Sequence, residues 1–173
     1  MFLSKKIPNQ MHNDLKSIYP RLWRYCLILT ASRDQADDLA QMAALRALEK
    51  ADHFKEGTHF DRWLFKITQH LWINELRKQA VRIGGGLSSI EEVDLPDNKT
   101  NPEMNLFTRQ VLLEVMALPE AQRSAVHLAY IEGYSYKEVA ETLEIPVGTV
   151  MSRLSAARTK LNGKMNSQES MAQ

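Results

Sequence analysis

Residues 135–161 read SYKEVAETLEIPVGTVMSRLSAARTKL, and this stretch decides the fold. Ser135 followed by Glu138 is a capping-box signature, so a helix starts at that serine. Val139, Ala140 and Leu143 form its apolar face. Glu144-Ile145-Pro146 makes a tight turn, and Pro146 and Thr149 open a second helix. On that helix Val150, Leu154, Ala157 and Leu161 recur on one face, while Thr149, Ser152, Arg153 and Arg158 fall outside it. Residues 145–164 carry four basic residues and no acidic one. A short helix that packs on one side and is cationic on the other suits a DNA major groove.

Working outward, Glu103 opens the unit that holds this pair, and Phe107, Val111, Val115 and Leu118 give it a first helical stripe. Pro119 sits where a helix start tolerates its missing N–H, and Gly133 closes that helix. Upstream, residues 82–102 contain Gly84-Gly85-Gly86, Ser88-Ser89, two prolines and an acidic cluster, the composition of a flexible linker. Before it lies a second helical unit. Leu15, Ile18, Leu22, Tyr25, Cys26 and Leu29 set the first helical rhythm, with a kink or a late start expected at Pro20. Ser32 and Gln35 read as a capping box for a helix through Leu39, Ala40, Ala43 and Ala47 that ends near Asp52. Asp61 reads as an N-cap, with Phe60 and Phe65 as a hydrophobic staple, for a third helix through Trp63, Leu64, Ile67 and Leu71. A fourth runs through Ile73 and Leu76 to about Gln79. The pattern fades after Lys164. The expectation is an all-α chain of two small domains, residues 10–80 and 103–165, joined by residues 81–102.

Composition agrees. With 44% hydrophobic and 25% charged residues among 173, the chain can bury packed cores and is not of disordered type. Net charge is only +1, but its distribution is uneven: residues 62–82 carry five basic residues and one acid, and residues 91–103 five acids and one base. Two cationic segments flanking an acidic one imply two contact surfaces. Cys26 is the only cysteine, which suits a reducing compartment. No secretory leader and no membrane-length apolar run are apparent, so a cytoplasmic protein is expected.

The two units together resemble a known family, the extracytoplasmic-function (ECF) sigma factors of bacterial RNA polymerase. YPRLWRYCLILT, RDQADDLAQMAALRAL and FDRWLFKITQHLWINELRKQ are similar to sigma domain two. ALPEAQRSAVHLAYIEGYSYKEVAETLEIPVGTVMSRLSAARTKL is similar to the helix-turn-helix of sigma domain four, and Asn101-Pro102-Glu103 fits the family's entry to it. The resemblance implies a subunit that binds core polymerase, directs it to promoters and helps open the duplex, with no catalysis of its own. It also implies regulation by an anti-sigma factor, often membrane-anchored. The alternative is a sigma-like decoy that occupies an anti-sigma factor without directing transcription.

By this resemblance, the minus-thirty-five element is read by Thr149, Met151, Ser152, Arg153, Ser155 and Arg158. The minus-ten element falls to Lys66, His70, Trp72, Asn74, Arg77 and Lys78, through capture of unstacked bases, which needs edge hydrogen bonds and flanking cations. Trp72 either stacks on a base or fills the core. Asp34, Asp37, Asp38, Leu39 and Gln41 match the contact with the polymerase's largest subunit, although acids in a first helical turn also complement the helix dipole. The chain departs from the family's usual residues at Met42, His70, Glu144 (where a turn glycine is common), Met151 and Ala156. No cofactor or metal is implied: His12, His53, His59, His70 and His127 lack ligand spacing, and no phosphate-cradling glycine loop precedes a Lys-Ser/Thr pair.

Overall fold

In a computed structural model the described residues are 9–82 and 106–171, so the expected linker and the Asn101-Pro102-Glu103 motif lie outside them. Among the described residues the secondary structure is helical throughout. Helices α1 (Asn9–Thr30), α2 (Arg33–Glu49) and α3 (Phe60–Arg82) form the first unit. Helices α4 (Leu106–Met116), α5 (Glu120–Val126), α6 (Tyr136–Leu143) and α7 (Val147–Met171) form the second, with a π-helical turn at His127–Ile131 after α5.

Local chemistry explains the boundaries. α1 runs through Pro20 rather than starting late. It ends because Ala31 turns left-handed at φ 56°, a conformation that costs a non-glycine residue about 1 kcal/mol. Thr30 Oγ1 braces this corner by donating to Cys26 O at 2.9 Å. The Ser32 cap is half a box: its hydroxyl accepts from Gln35 N at 3.5 Å. At Ser135 both halves are present.

Three expectations need correction. The third and fourth helices are one continuous α3, because Trp72, at the predicted gap, is buried and continues the inward face of Phe65, Thr68 and Gln69 across it. Tyr25 donates to Gln69 Oε1 at 2.8 Å, which makes that burial tolerable. Asp61 lies inside the first turn of α3 rather than capping it. The staple is not formed: Phe60 packs on Phe54 and Trp63, while Phe65 packs on Tyr25. In addition, α2 stops at Glu49 before a 3-10 turn at Ala51–His53, and α7 extends past Lys164.

The two units share one apolar core. It runs from Leu22, Tyr25 and Leu29 through Ala36, Ala40 and Phe65 to Leu128, Val139, Val150 and Leu154. Tyr25 and His127 stack across the boundary with ring centroids 5.5 Å apart. Arg123, only 9% exposed, reaches across as well. Its Nε donates to Ile28 O at 2.8 Å and its Nη2 to Leu29 O at 3.1 Å, while Nη1 donates to Met116 O and Leu118 O. One guanidinium thus satisfies carbonyls at the ends of α1 and α4, groups that have no intrahelical partner.

Candidate nucleic-acid interface

α3 and α7 carry the cationic side chains that the sequence singled out. On α7, Val150, Leu154 and Ala157 are fully buried, which turns Met151, Ser152, Ser155 and Arg158 outward. Thr149 and Arg153 are half-buried. The Ser152 hydroxyl donates to Thr149 O at 3.0 Å. The Arg153 charge is felt on α5, where burial pushes the Glu120 carboxyl above its usual range and opposes its ionisation, while the charges of Arg123 and Arg153 hold part of that rise back. Lys160 adds a further exposed cation.

On α3 the six expected residues divide into three groups. Asn74, Arg77 and Lys78 are exposed near the C-terminal end. Trp72 is only 6% exposed: it shares the buried face with Phe65, Thr68 and Gln69, so it fills the core and is not presented for stacking. Lys66 and His70 are already engaged. Both contact the Glu144 carboxylate, Lys66 Nζ lying 2.8 Å from Oε1 and His70 Nε2 meeting Oε2. Those contacts, led by Lys66, hold the Glu144 carboxyl below its ordinary ionisation range.

A cleft of about 570 Å³ opens beside this pair. Arg46 of α2 and Lys50, just past its end, face His70, Asn74 and Arg77 from α3 across it, and Glu144 lines it as well. The sequence reading missed Arg46 and Lys50. Their four-residue spacing at the exposed end of α2 was the available signal, but cations at a helix C-terminus also complement the dipole.

The α2 residues are arranged more simply. Asp34, Asp37, Asp38 and Gln41 are exposed, whereas Leu39 is buried at 2% and cannot serve as a surface contact in this arrangement. Its neighbours Ala36, Ala40 and Ala43 bury the same face. Asp37 Oδ1 accepts from Trp23 Nε1 at 2.5 Å, fixing that acid against α1. Exposed Met42 and Leu45 give the face an apolar component.

A polar network joins the units. Arg21 donates to Glu132 Oε2 from Nε at 2.9 Å and to Asp61 Oδ2 from Nη2 at 3.2 Å. Tyr134 donates to the same Asp61 oxygen at 2.7 Å. His127 Nε2 lies 3.3 Å from Glu132 Oε1, both side chains buried. Burial opposes ionisation of Asp61 and Glu132, yet the Tyr134 hydroxyl and Arg21 hold Asp61, and His127 and Arg21 hold Glu132, below the usual carboxylate range. Glu138 completes the seam: Oε2 closes the Ser135 capping box at 2.8 Å and Oε1 pairs with Arg62 at 2.6 Å.

Comparison with known proteins identifies this arrangement. Sigma-70 region 2 matches residues 15–82, and sigma-70 region 4 matches residues 108–161. The ECF RNA polymerase sigma factor EcfG of Rhodopseudomonas palustris is 30% identical over 161 residues, covering 90% of this chain and 85% of that protein. The chain belongs to the ECF RNA polymerase sigma factors. SigW of Bacillus subtilis is 29% identical, with 93% of this sigma factor and 92% of SigW covered. Among solved structures, the sigma factor RpoE of Bartonella quintana, in complex with the anti-sigma factor NepR, superposes with a TM-score of 0.79. That likeness has 26% identity and covers 91% of this sigma factor and 97% of RpoE. Among the described residues there is no cluster of ligands for a metal ion, and no helix is long and apolar enough to cross a membrane.

Proposed function

We propose that this ECF sigma factor binds core RNA polymerase through the acidic face of α2 and reads two promoter elements with two cationic helices. Asp34, Asp37, Asp38 and Gln41 form the docking face. Asn74, Arg77 and Lys78, with Lys66 and His70 once freed, receive the single-stranded minus-ten element. Arg46 and Lys50 line the opposite wall and attract its phosphates. Met151, Ser152, Ser155 and Arg158 face the minus-thirty-five duplex, with Thr149 and Arg153 at its edge. Residues 81–102 join the two readers. The protein acts in the cytoplasm, where an anti-sigma factor holds it.

The observation that carries this reading is the cleft between α2 and α3, with cations on both walls and an exposed Asn74 able to donate and accept at a base edge. No covalent step is assigned to any residue; synthesis belongs to the polymerase. Reconstitution with bacterial core polymerase on a genomic promoter library tests it. Discrete transcript starts that depend on the added chain support the reading and dispose of the decoy alternative. Polymerase that gains no promoter selectivity overturns it.

A further inference from the structure

The corner between α1 and α2 breaks a local rule. Arg33 is the first residue of α2, where the positive end of the helix dipole disfavours a cation. Its guanidinium lies over the Trp23 ring of α1, 5.8 Å from the centroid. The negative face of an indole offsets a cation placed there. The same indole has a second partner: Trp23 Nε1 donates to Asp37 Oδ1 at 2.5 Å. Arg33 and Asp37 are four residues apart, so both stand on the side of α2 that meets α1. Tyr19, one turn before Trp23, belongs to the same corner, where burial and then the Asp37 charge push its phenol up. Trp23 and Arg33 are half-buried and Asp37 is exposed, so this is a surface arrangement rather than a core one.

From this we infer that Trp23 is a positioning residue for polymerase docking: its indole N–H holds the Asp37 carboxylate in one orientation, with Oδ2 open to a cationic side chain of core polymerase. The inference deepens the proposed function and rests on its docking face. An ionised carboxylate accepts on both oxygens, and Oδ2 accepts from no group among the described residues. Asp34 and Gln41 lie three and four residues to either side of Asp37, so that oxygen belongs to the acidic face. The stack on Trp23 also draws the Arg33 guanidinium toward the ring, away from an ion pair with Asp37 along the helix. An unrestrained side chain loses rotamer freedom when an interface forms. Asp37 has lost part of that freedom beforehand, so less is lost on docking. The bond leaves the charge of Asp37 unchanged. Trp23 therefore acts on how long the complex lasts, while charge sets how fast it forms.

The test measures association and dissociation rates of the full chain with bacterial core polymerase, alongside the urea midpoint of each variant. Trp23→Phe keeps a ring beside Arg33 and has no N–H to donate. Asp37→Ala removes the carboxylate. Trp23→Phe is expected to dissociate about threefold to tenfold faster, with its association rate and salt dependence unchanged. Asp37→Ala is expected to slow association as well, because it removes a charge. In the Asp37→Ala background Trp23→Phe should cost nothing further, since the bond it removes is already gone. A loss that recurs undiminished in that background marks a merely structural role and overturns the inference. Unchanged dissociation of Trp23→Phe, with Asp37→Ala still weakening binding, overturns it too and leaves the docking face standing. Normal binding by both Asp37→Ala and Asp38→Arg overturns the docking face and the inference together.

A second measurement leaves Trp23 in place and needs no polymerase. In a proton–nitrogen correlation spectrum of the full chain, the Trp23 indole resonance is expected to move upfield in Asp37→Ala and to stay in place in Asp38→Ala. A Trp23 resonance that does not move in Asp37→Ala removes the bond on which the inference stands and overturns it.

Discussion

Arg123 in the second unit donates to the Ile28 carbonyl at the end of α1, at 2.8 Å across 95 residues of chain. The same side chain also satisfies Leu29, Met116 and Leu118. Removing it strands several buried carbonyls that belong to both units. Arg123→Ala is expected to lower unfolding free energy by about 2–3 kcal/mol, the scale of hydrogen bonds to a charged group. Lysine reaches fewer carbonyls and should recover only part of this. Urea midpoints of the three proteins check both points.

Acid should loosen the seam between the units. Asp61 and Glu132 ionise below their ordinary values in the folded chain. A depressed carboxylate contributes stability that is fully present above the unfolded values of about 4. That contribution is lost as pH falls through the lower folded values. Glu120 is shifted the other way by burial, so its protonation partly offsets the loss. Urea midpoints between pH 6 and pH 3 should fall most steeply below about pH 4. Asp61→Asn with Glu132→Gln should be less stable at neutral pH and show a flatter profile.

Trp72 provides a test of core against surface. Its indole is buried against the face that holds Phe65 and Thr68. Trp72→Ala is expected to cost about 3–5 kcal/mol as a large-to-small core change. Trp72→Phe keeps most of the apolar volume and should retain promoter-directed transcription. A Trp72→Phe protein of normal stability that fails to open promoters would return Trp72 to the DNA-contacting surface.

On α7, Arg158 is exposed while Arg153 is half-buried, its charge acting on Glu120. Arg158→Ala should weaken promoter binding by the holoenzyme about equally across sequences and reduce the salt slope by about one phosphate contact. Footprinting at several salt concentrations measures this.

Asp38→Arg reverses charge on the exposed face of α2 without disturbing a buried partner. Co-purification with core polymerase should fall, because like charges at a docking face oppose association. Undiminished co-purification would move the docking site elsewhere.

Local chemistry was the legible part of this fold. The Ser135–Glu138 box, the Pro146 turn and the Val150–Leu154–Ala157 stripe depend on residues a few positions apart, and each formed. The gap expected inside α3 did not, because Trp72 at that gap is buried beside Thr68 and Gln69, and Gln69 looks like a surface residue until Tyr25 supplies it with a buried hydrogen bond from another helix. Leu39 and Trp72, named as site residues, are buried in this fold. Leu39 lies on a buried face that the apolar rhythm already traced, Trp72 falls between two traced stripes, and a family motif does not say which of its members face inward. The seam itself was illegible: Arg21 with Glu132, or Lys66 with Glu144, reads in isolation as two solvated charges. Only the folded chain shows that they meet.

The reach of Arg123 has a consequence for how the protein is made. Residues 9–30 leave the ribosome long before residue 123, so the last turn of α1 waits with bare carbonyls until the second half is synthesised. A nascent chain halted in the stretch between the halves would carry an unfinished helix end, exposed to chaperones and proteases, however well its own three helices pack.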